Sequence, residues 1–238
     1  MQINLIFAAF KIVIIHMANE NKDVLLGVEE KWSRLENFFQ ENKKRVSTIA
    51  TVVLIAIAGY VGYTYWYLPG QEQEAEIAIY PAQRLFSIDS INKAIPMFEQ
   101  IADDYGATKI GHTANYYLGV CYFRKKEYQK AIDYLSKFNA GDVMVSPLAV
   151  GLMGDAEMQL GHTDQALEDY LTAIKRNEND LTTPIFLQKA AFVCESKHDY
   201  AQALSLYQNI KTQYHNSTEA QNIDKYIARA KVEAGTAQ

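Results

Sequence analysis

The chain has 238 residues, room for one or two domains, and its hydrophobic content of 49% suffices for a sizeable core. A formal net charge of −5 argues against nucleic acid as the main partner, because phosphate binding needs clustered basic residues. With only 12 glycines and 5 prolines, the composition excludes a disordered linker or a turn-rich β fold. Two cysteines, Cys121 and Cys194, form no CxxC and no disulfide framework, so the redox compartment stays open.

Residues 1–16 are an apolar leader interrupted by Lys11 and short for a membrane span. They lack the basic start and small-residue cleavage site of a signal peptide. We read Met17 as the working start, with MANENKD a polar tail behind an over-extended gene start; a weak membrane-surface segment is the rival. Residues 17–45 form a cytoplasmic tail. Within it Leu25, Val28, Trp32, Leu35 and Phe39 recur at helical spacing, a stripe that needs a membrane surface or a partner to cover it.

Residues 46–68 (VSTIATVVLIAIAGYVGYTYWYL) carry no charge. A helix of that length spans roughly 35 Å, more than the roughly 30 Å hydrocarbon core, so the segment reads as a transmembrane helix rather than a buried core helix. Lys43, Lys44 and Arg45 precede it, and Glu72, Glu74 and Glu76 follow. The positive-inside rule then places the N-terminus in the cytoplasm and residues 69–238 across the membrane. Tyr60, Tyr63, Tyr65, Trp66 and Tyr67 crowd the far end, where amphipathic rings favour the headgroup level.

Beyond the span, four stretches align when shifted by about one helical-hairpin length: IDSINKAIPMFEQIADDY, KKEYQKAIDYLSKF, GHTDQALEDYLTAI and KHDYAQALSLYQNI. Each has an alanine and, four residues on, a large side chain: Ala94/Phe98, Ala131/Leu135, Ala166/Tyr170 and Ala203/Tyr207. The alanines lie 37, 35 and 37 residues apart, a recurrence that a generic α-bundle does not predict. Upstream helices carry a second small position at Gly119, Gly154 and Ala191. Gly106, Gly141, Gly161 and the polar stretches 177–180 and 216–217 separate helices, while Ser146-Pro147 and Thr183-Pro184 begin first helices. The tail STEAQNIDKYIARAKVEA reads as a capping helix, with Ile223, Ile227 and Ala230 closing the last repeat.

This pattern resembles the tetratricopeptide repeat family, with Leu118-Gly119, Tyr122, Ala131 and Leu135 the best match. Glu157 and Cys194 stand where the family has an aromatic, and the first repeat is degenerate, with Pro81 in its first helix. The resemblance covers roughly 75–232 and implies an all-α fold: a transmembrane helix, then an α-solenoid of about four helix pairs and a capping helix. It also implies a partner surface along the concave face. The family's inner positions fall on Tyr116, Val120, Phe123 and Arg124, on Asp155, Met158 and Gln159, and on Gln188, Phe192 and Glu195. Aromatics, Met and a few polar groups suit an extended or unfolded polypeptide; the alternative is that Phe123 and Phe192 only pack between repeats. Tyr116 and Val120 stand where the family's carboxylate-clamp subtype has polar residues, which argues against that specificity.

Catalytic and metal signatures are not expected here. His162 and His198 fall in short turns and read as solvated loop residues, residues 103–104 and 177–180 lack calcium-loop spacing, and no HExxH, GxSxG or Walker motif occurs. Cys121 and Cys194 sit two repeats apart, beyond bonding range, and read as core residues. No enzyme activity, cofactor, metal or small-molecule substrate is expected.

The phrases DDYGATKIGHTANYYLGVCYF, TTPIFLQKAAFV and DKYIARAK are similar to the YfgM-type ancillary subunits of the SecYEG translocon, in the version common in Bacteroidetes. That resemblance implies an inner-membrane protein with a periplasmic repeat domain whose partners are translocon subunits, periplasmic chaperones or unfolded polypeptide. A scaffold subunit of another envelope complex, in secretion or division machinery, is the alternative.

Overall fold

The computed structural model describes residues 41–139 and 141–235, with Arg34 and Phe38. The leader at 1–16, the start at Met17 and the stripe of 24–39 lie outside the described residues, apart from Arg34 and Phe38. The chain divides into two units, Met1–Tyr65 and Trp66–Gln238.

In the first unit, α1 runs Lys43–Gly62 and buries none of its residues. Val52, Leu54 and Ile55 stand exposed along it. Its hydroxyls turn back onto the helix: Thr48 donates to the Lys44 carbonyl at 2.9 Å and Thr51 to the Ser47 carbonyl at 2.9 Å. A helix already satisfies its own backbone, so these polar side chains are paired without leaving the cylinder. The helical stretch Lys43–Ser87 holds a window long and apolar enough to cross a membrane, none of it buried. A π-helical turn, Tyr63–Tyr67, follows α1.

The second unit begins with α2 (Leu68–Ser87) and α3 (Ile91–Asp104), then α4 (Lys109–Arg124) and α5 (Tyr128–Leu135). Next come α6 (Val145–Leu160), α7 (Thr163–Arg176), α8 (Thr183–Ser196) and α9 (Tyr200–Gln213), and after a 3₁₀ turn (Glu219–Asn222) the chain ends in α10 (Ile223–Glu233). Short turns force neighbours antiparallel. Helices therefore pair as α2/α3, α4/α5, α6/α7 and α8/α9, each pair packs on the next, and α10 packs on α9.

The alternation of small and large residues explains the pairing. All four repeat alanines are fully buried, and Phe98, Leu135, Tyr170 and Tyr207 are buried beside them. A Cβ added at Gly119 would lie 2.4 Å from Leu135 Cγ and 3.2 Å from the Ala131 carbonyl oxygen. At Gly154 it would lie 2.8 Å from the Tyr170 ring and 3.2 Å from the Ala166 carbonyl oxygen. Each first-helix glycine thus faces the alanine and large residue of its own second helix, which sets how closely the pair approaches.

The turns inside the four pairs share one geometry. Asp89 (φ 58°), Lys126 (φ 61°), Gly161 (φ 82°) and His198 (φ 62°) all adopt the left-handed region, each five positions before its repeat alanine. The following residue's N–H reaches back five residues: Ser90 to the Leu85 carbonyl (2.8 Å), Glu127 to Tyr122 (2.9 Å), His162 to Glu157 (2.9 Å) and Asp199 to Cys194 (2.9 Å). This is the Schellman cap, in which glycine is the favoured left-handed residue. Lys126→Gly is therefore expected to raise stability by about 0.5–1 kcal/mol, and Gly161→Ala to lower it by about 1 kcal/mol. Urea denaturation midpoints of the two variants should move in opposite directions.

Helix α5 is shorter than the second helices of the other pairs. The alignable stretch runs to Phe138, but the helix stops at Leu135 and residues 136–144 connect it to α6. The Asp142 carboxylate then accepts from Met144 N–H (2.8 Å) and Val145 N–H (2.7 Å) at the start of α6, and those bonds hold its pKa below the ordinary value. The capping helix closes the array as expected, with Ile223, Ile227 and Ala230 buried against the cluster around Tyr207 and Ile210. Cys121 and Cys194 are both free and buried, and burial pushes each thiol up to about 11.

Candidate functional site

The ten residues expected on the inner face lie on the first helices of pairs two, three and four. On α4, Tyr116, Val120 and Phe123 are half-buried and Arg124 is exposed; helical spacing puts them on one face. On α6, Asp155 and Met158 are half-buried and Gln159 is exposed; on α8, Gln188 and Glu195 are half-buried and Phe192 is exposed.

Several of them are engaged with the neighbouring repeat. The Lys189 ammonium of α8 reaches both oxygens of Asp155 on α6 at 2.7 Å, and Tyr170 O–H donates to the same carboxylate at 2.8 Å. Arg229 of α10 grips Glu195 of α8 through two N–H groups, at 3.2 and 2.5 Å. Arg124 donates to Asp89 in the preceding turn at 3.2 Å, with its guanidinium 4.7 Å above the Phe86 ring. Gln83 of α2 donates to Tyr117 of α4 at 3.4 Å. Apart from Tyr170–Asp155, which joins the two helices of one pair, the partners in these contacts are 34 or 35 residues apart, one repeat, so they form a ladder that sets the stacking register.

Lys189, Arg229 and Asp89 were not among the expected site residues. Their signal in the sequence is opposite charge at one-repeat spacing, which a reading confined to each repeat does not use. The Arg124–Asp89 pair is largely exposed and contributes about 0–1 kcal/mol; Glu195 and Asp155 are more sheltered, but their cationic partners Arg229 and Lys189 still meet water, so the pairs set register more than stability.

The aromatic positions are partly internal. Phe192 packs edge-on against Tyr226 (5.4 Å) and Tyr207 (6.3 Å), and Phe123 against Tyr128 (5.5 Å). Tyr116 lies against Phe138 (5.6 Å), and burial raises its phenol pKa. Phe192 still shows 39% of its surface. Val120, Met158, Gln159 and Gln188 add apolar and amide groups to the partly exposed surfaces of α4, α6 and α8.

The turn histidines are exposed, as the sequence suggests, and each has a neighbour: His162 Nδ1 lies 2.7 Å from Glu157 and His198 Nδ1 lies 3.0 Å from Tyr200 O–H. Glu157, standing where the family has an aromatic, is thus an anchor for its own turn.

A cleft of about 390 Å³ is lined by Glu99, Asp103, His112, Asn115, Tyr134 and Lys137. Its polar groups serve the fold: Glu99 accepts from Tyr122 O–H (2.8 Å) and Tyr134 O–H (3.2 Å), Asn115 donates to the Gly111 carbonyl (3.0 Å), and His112 meets the Lys137 carbonyl (3.0 Å). Among the described residues, no group of three or more His, Cys, Asp or Glu is placed to hold a metal ion.

Among the described residues, Asp169 on α7 and the Tyr207 hydroxyl on α9 depart from this economy, and Asp169 is the one that carries charge. Asp169 is 7% exposed, one carboxylate oxygen has no partner, and Gln165 donates to the other at 3.3 Å. Burial raises its pKa, helped by Glu157 and Glu168 and opposed by the Gln165 bond. A raised folded pKa means the folded state binds the proton more tightly than the unfolded chain. That advantage is full below the unfolded pKa and disappears as pH rises through the folded value. Asp169→Asn is expected to raise the urea midpoint at pH 7, with a smaller gain at pH 4.

The comparisons with known proteins bear on this geometry. A family described as "Tetratricopeptide repeat-like domain" matches residues 36–147, and one described as "Tetratricopeptide repeat" matches residues 149–180. This is a tetratricopeptide-repeat protein. Tetratricopeptide arrays are generally non-catalytic modules that bind protein partners. Among solved structures, MamA protein superposes with a TM-score of 0.55 at 18% identity, covering 68% of this chain and 83% of its own. Nearly identical TPR-like repeats from Podosopora anserina give 0.52 at 14% identity, covering 70% and 89%. MamA residues 41-end from Desulfovibrio magneticus RS-1 give 0.50 at 16%, covering 77% and 94%. At these identities the likeness concerns the fold alone. No curated protein matches the chain in sequence.

Proposed function

We propose that this tetratricopeptide-repeat protein is a single-pass membrane protein that holds its repeats on the far side of the bacterial inner membrane to bind other proteins. The observation that carries this reading is an apolar helix of spanning length with no buried residue, joined directly to a repeat array. A soluble helix of that composition would leave Val52, Leu54 and Ile55 in water, whereas a bilayer covers them. Lys43, Lys44 and Arg45 before the helix and Glu72, Glu74 and Glu76 after it support a cytoplasmic N-terminus and a periplasmic repeat domain.

The strip of Val120, Met158, Gln159, Gln188 and Phe192, with Tyr116 and Phe123 at its margin, is the proposed contact for an extended polypeptide. Arg124, Asp155 and Glu195 frame it through their ladder pairs. The sequence resemblance to YfgM-type subunits supports a place beside the protein translocon, handing emerging chains to periplasmic chaperones. Affinity purification of the full chain from detergent-solubilised membranes tests this. Translocon subunits or periplasmic chaperones should co-purify, and Phe192→Ala with Met158→Ala should reduce the recovery. Recovery of only a secretion or division complex would replace the translocon reading with that of an envelope scaffold.

A further inference from the structure

We propose that the cleft between α3, α4 and α5 is a receptor for an arginine side chain of a partner polypeptide. It adds a second contact to the polypeptide-binding reading above and shares no residue with the inner face, so either can fail alone.

Three helices each send side chains to this cleft of about 390 Å³. Glu99 and Asp103 lie one turn apart on α3, His112 and Asn115 lie near the start of α4, and Tyr134 and Lys137 lie at the end of α5. The bonds within the fold leave acceptors over. Tyr122 and Tyr134 both donate to Glu99 Oε1, at 2.8 and 3.2 Å, and Oε2 takes no bond from the described residues. Asp103 is exposed and takes none on either oxygen. The Lys137 carbonyl can only accept, so His112 Nδ1 carries the hydrogen between them, and Nε2 of the neutral ring is a further acceptor.

Asn115 is the residue that points to a ligand. It is 7% exposed, and its Nδ2 donates to the Gly111 carbonyl at 3.0 Å. Its Oδ1 takes no bond from the described residues and yet is not sealed in, because the side-chain atoms that are both buried and unpartnered are Asp169 Oδ2 and Tyr207 Oη. A nearly buried amide oxygen is thus left open toward the cleft whose wall it forms.

Acceptors from four residues beside one aromatic ring call for a flat, cationic donor. A guanidinium presents several N–H groups in a fixed fork and packs on ring faces, whereas an ammonium is a compact point charge. The charge agrees, since two carboxylates face one ammonium. The Tyr134 phenol pKa is raised, first by burial and next by the Glu99 charge. Lys137 marks the place a cation takes. Its ammonium stands 5.0 Å from the Tyr134 ring centroid, and among the described residues no carboxylate pairs with it. Exposed on a flexible stem, it can swing aside for a better-fitting cation.

The test uses the full chain in non-ionic detergent. The probes are acetyl-Gly-Arg-Gly-amide and the same peptide with citrulline, which keeps the shape of arginine without its charge. Saturation-transfer NMR gives the dissociation constants. The arginine peptide is expected to bind about five-fold or more tightly than the citrulline peptide. Asp103→Asn and Glu99→Gln should each weaken it by roughly three-fold or more. Asp104→Asn, just outside the cleft, should leave it unchanged, and Lys137→Gln should strengthen it. Asp103 bonds to no described residue, so its variant keeps the test open even where Glu99→Gln loosens the two tyrosines. Equal binding of the two peptides overturns the inference, because charge is then not read. Equal weakening by Asp103→Asn and Asp104→Asn overturns it too, because the acidic surface then attracts the peptide diffusely. Either result leaves the inner-face reading standing.

Discussion

Gly111→Ala is expected to destabilise the repeat domain by about 1–3 kcal/mol. Gly111 is the third residue of α4. A Cβ there would lie 2.0 Å from the Tyr105 carbonyl oxygen, 2.6 Å from its carbon and 2.9 Å from Gly106 Cα. These are backbone atoms, so no rotamer change makes room. The same loop is closed by Thr108, only 1% exposed, whose hydroxyl donates to the Tyr105 carbonyl (2.7 Å) and accepts from Gly111 N–H (2.9 Å). Adding the methyl must either push α3 away from α4 or open this cap. Overpacking costs about 1–3 kcal/mol and a lost cap about 1, against roughly 1 regained from alanine's helix propensity. Urea denaturation measures the sum; a change below about 1 kcal/mol would show that the joint between pairs one and two yields without strain.

The contrast between Gly111 and Gly119 shows what the sequence could reveal. Gly119 repeats at Gly154 and Ala191, each facing a second-helix alanine, so periodicity exposes its role. Gly111 has no counterpart at the same place, because its neighbour is the backbone of one particular loop. The left-handed turns behave likewise. Gly161 announces its conformation by being glycine, whereas Lys126 and His198 adopt it under the constraint of the helices on either side. The early end of α5 was hidden for a related reason: residues 136–138 keep a helix-compatible pattern, and the turn comes with tertiary contacts, of His112 with the Lys137 carbonyl and of Tyr116 with Phe138.

The candidate site was legible in its positions but not in its bonding. Tyr116, Asp155 and Phe192 can be placed on first helices by alignment alone. That Asp155 is held by Lys189 and Glu195 by Arg229 depends on which neighbouring repeat each side chain leans toward. This bonding changes the chemistry of the strip. On the proposed contact surface a charged ligand would have to compete with pairs already formed, which leaves the apolar and amide groups for the proposed recognition.

Phe98→Ala should cost about 3–5 kcal/mol and, more tellingly, should act locally. Phe98 is fully buried where α2, α3 and α4 meet, with its ring stacked on Tyr117 at 4.9 Å and edge-on to Phe86 at 6.4 Å. Phe86 closes the triangle on Tyr117 at 5.1 Å. This trio replaces the degenerate small-residue pattern of the first repeat as the joint between pairs one and two. In a stack whose units touch only their neighbours, losing one joint loosens the adjoining pair before the rest. Amides of α2 and α3 are therefore expected to lose hydrogen-exchange protection by roughly two to four orders of magnitude. Those of α8 and α9, anchored by Tyr207 and capped by α10, should keep theirs. Equal loss across every helix would mean that the domain unfolds as one cooperative bundle, and the nearest-neighbour account of its stability would have to be abandoned. Local loss would mean that the first pair, α2/α3, can open while the surface of α6 and α8 stays formed.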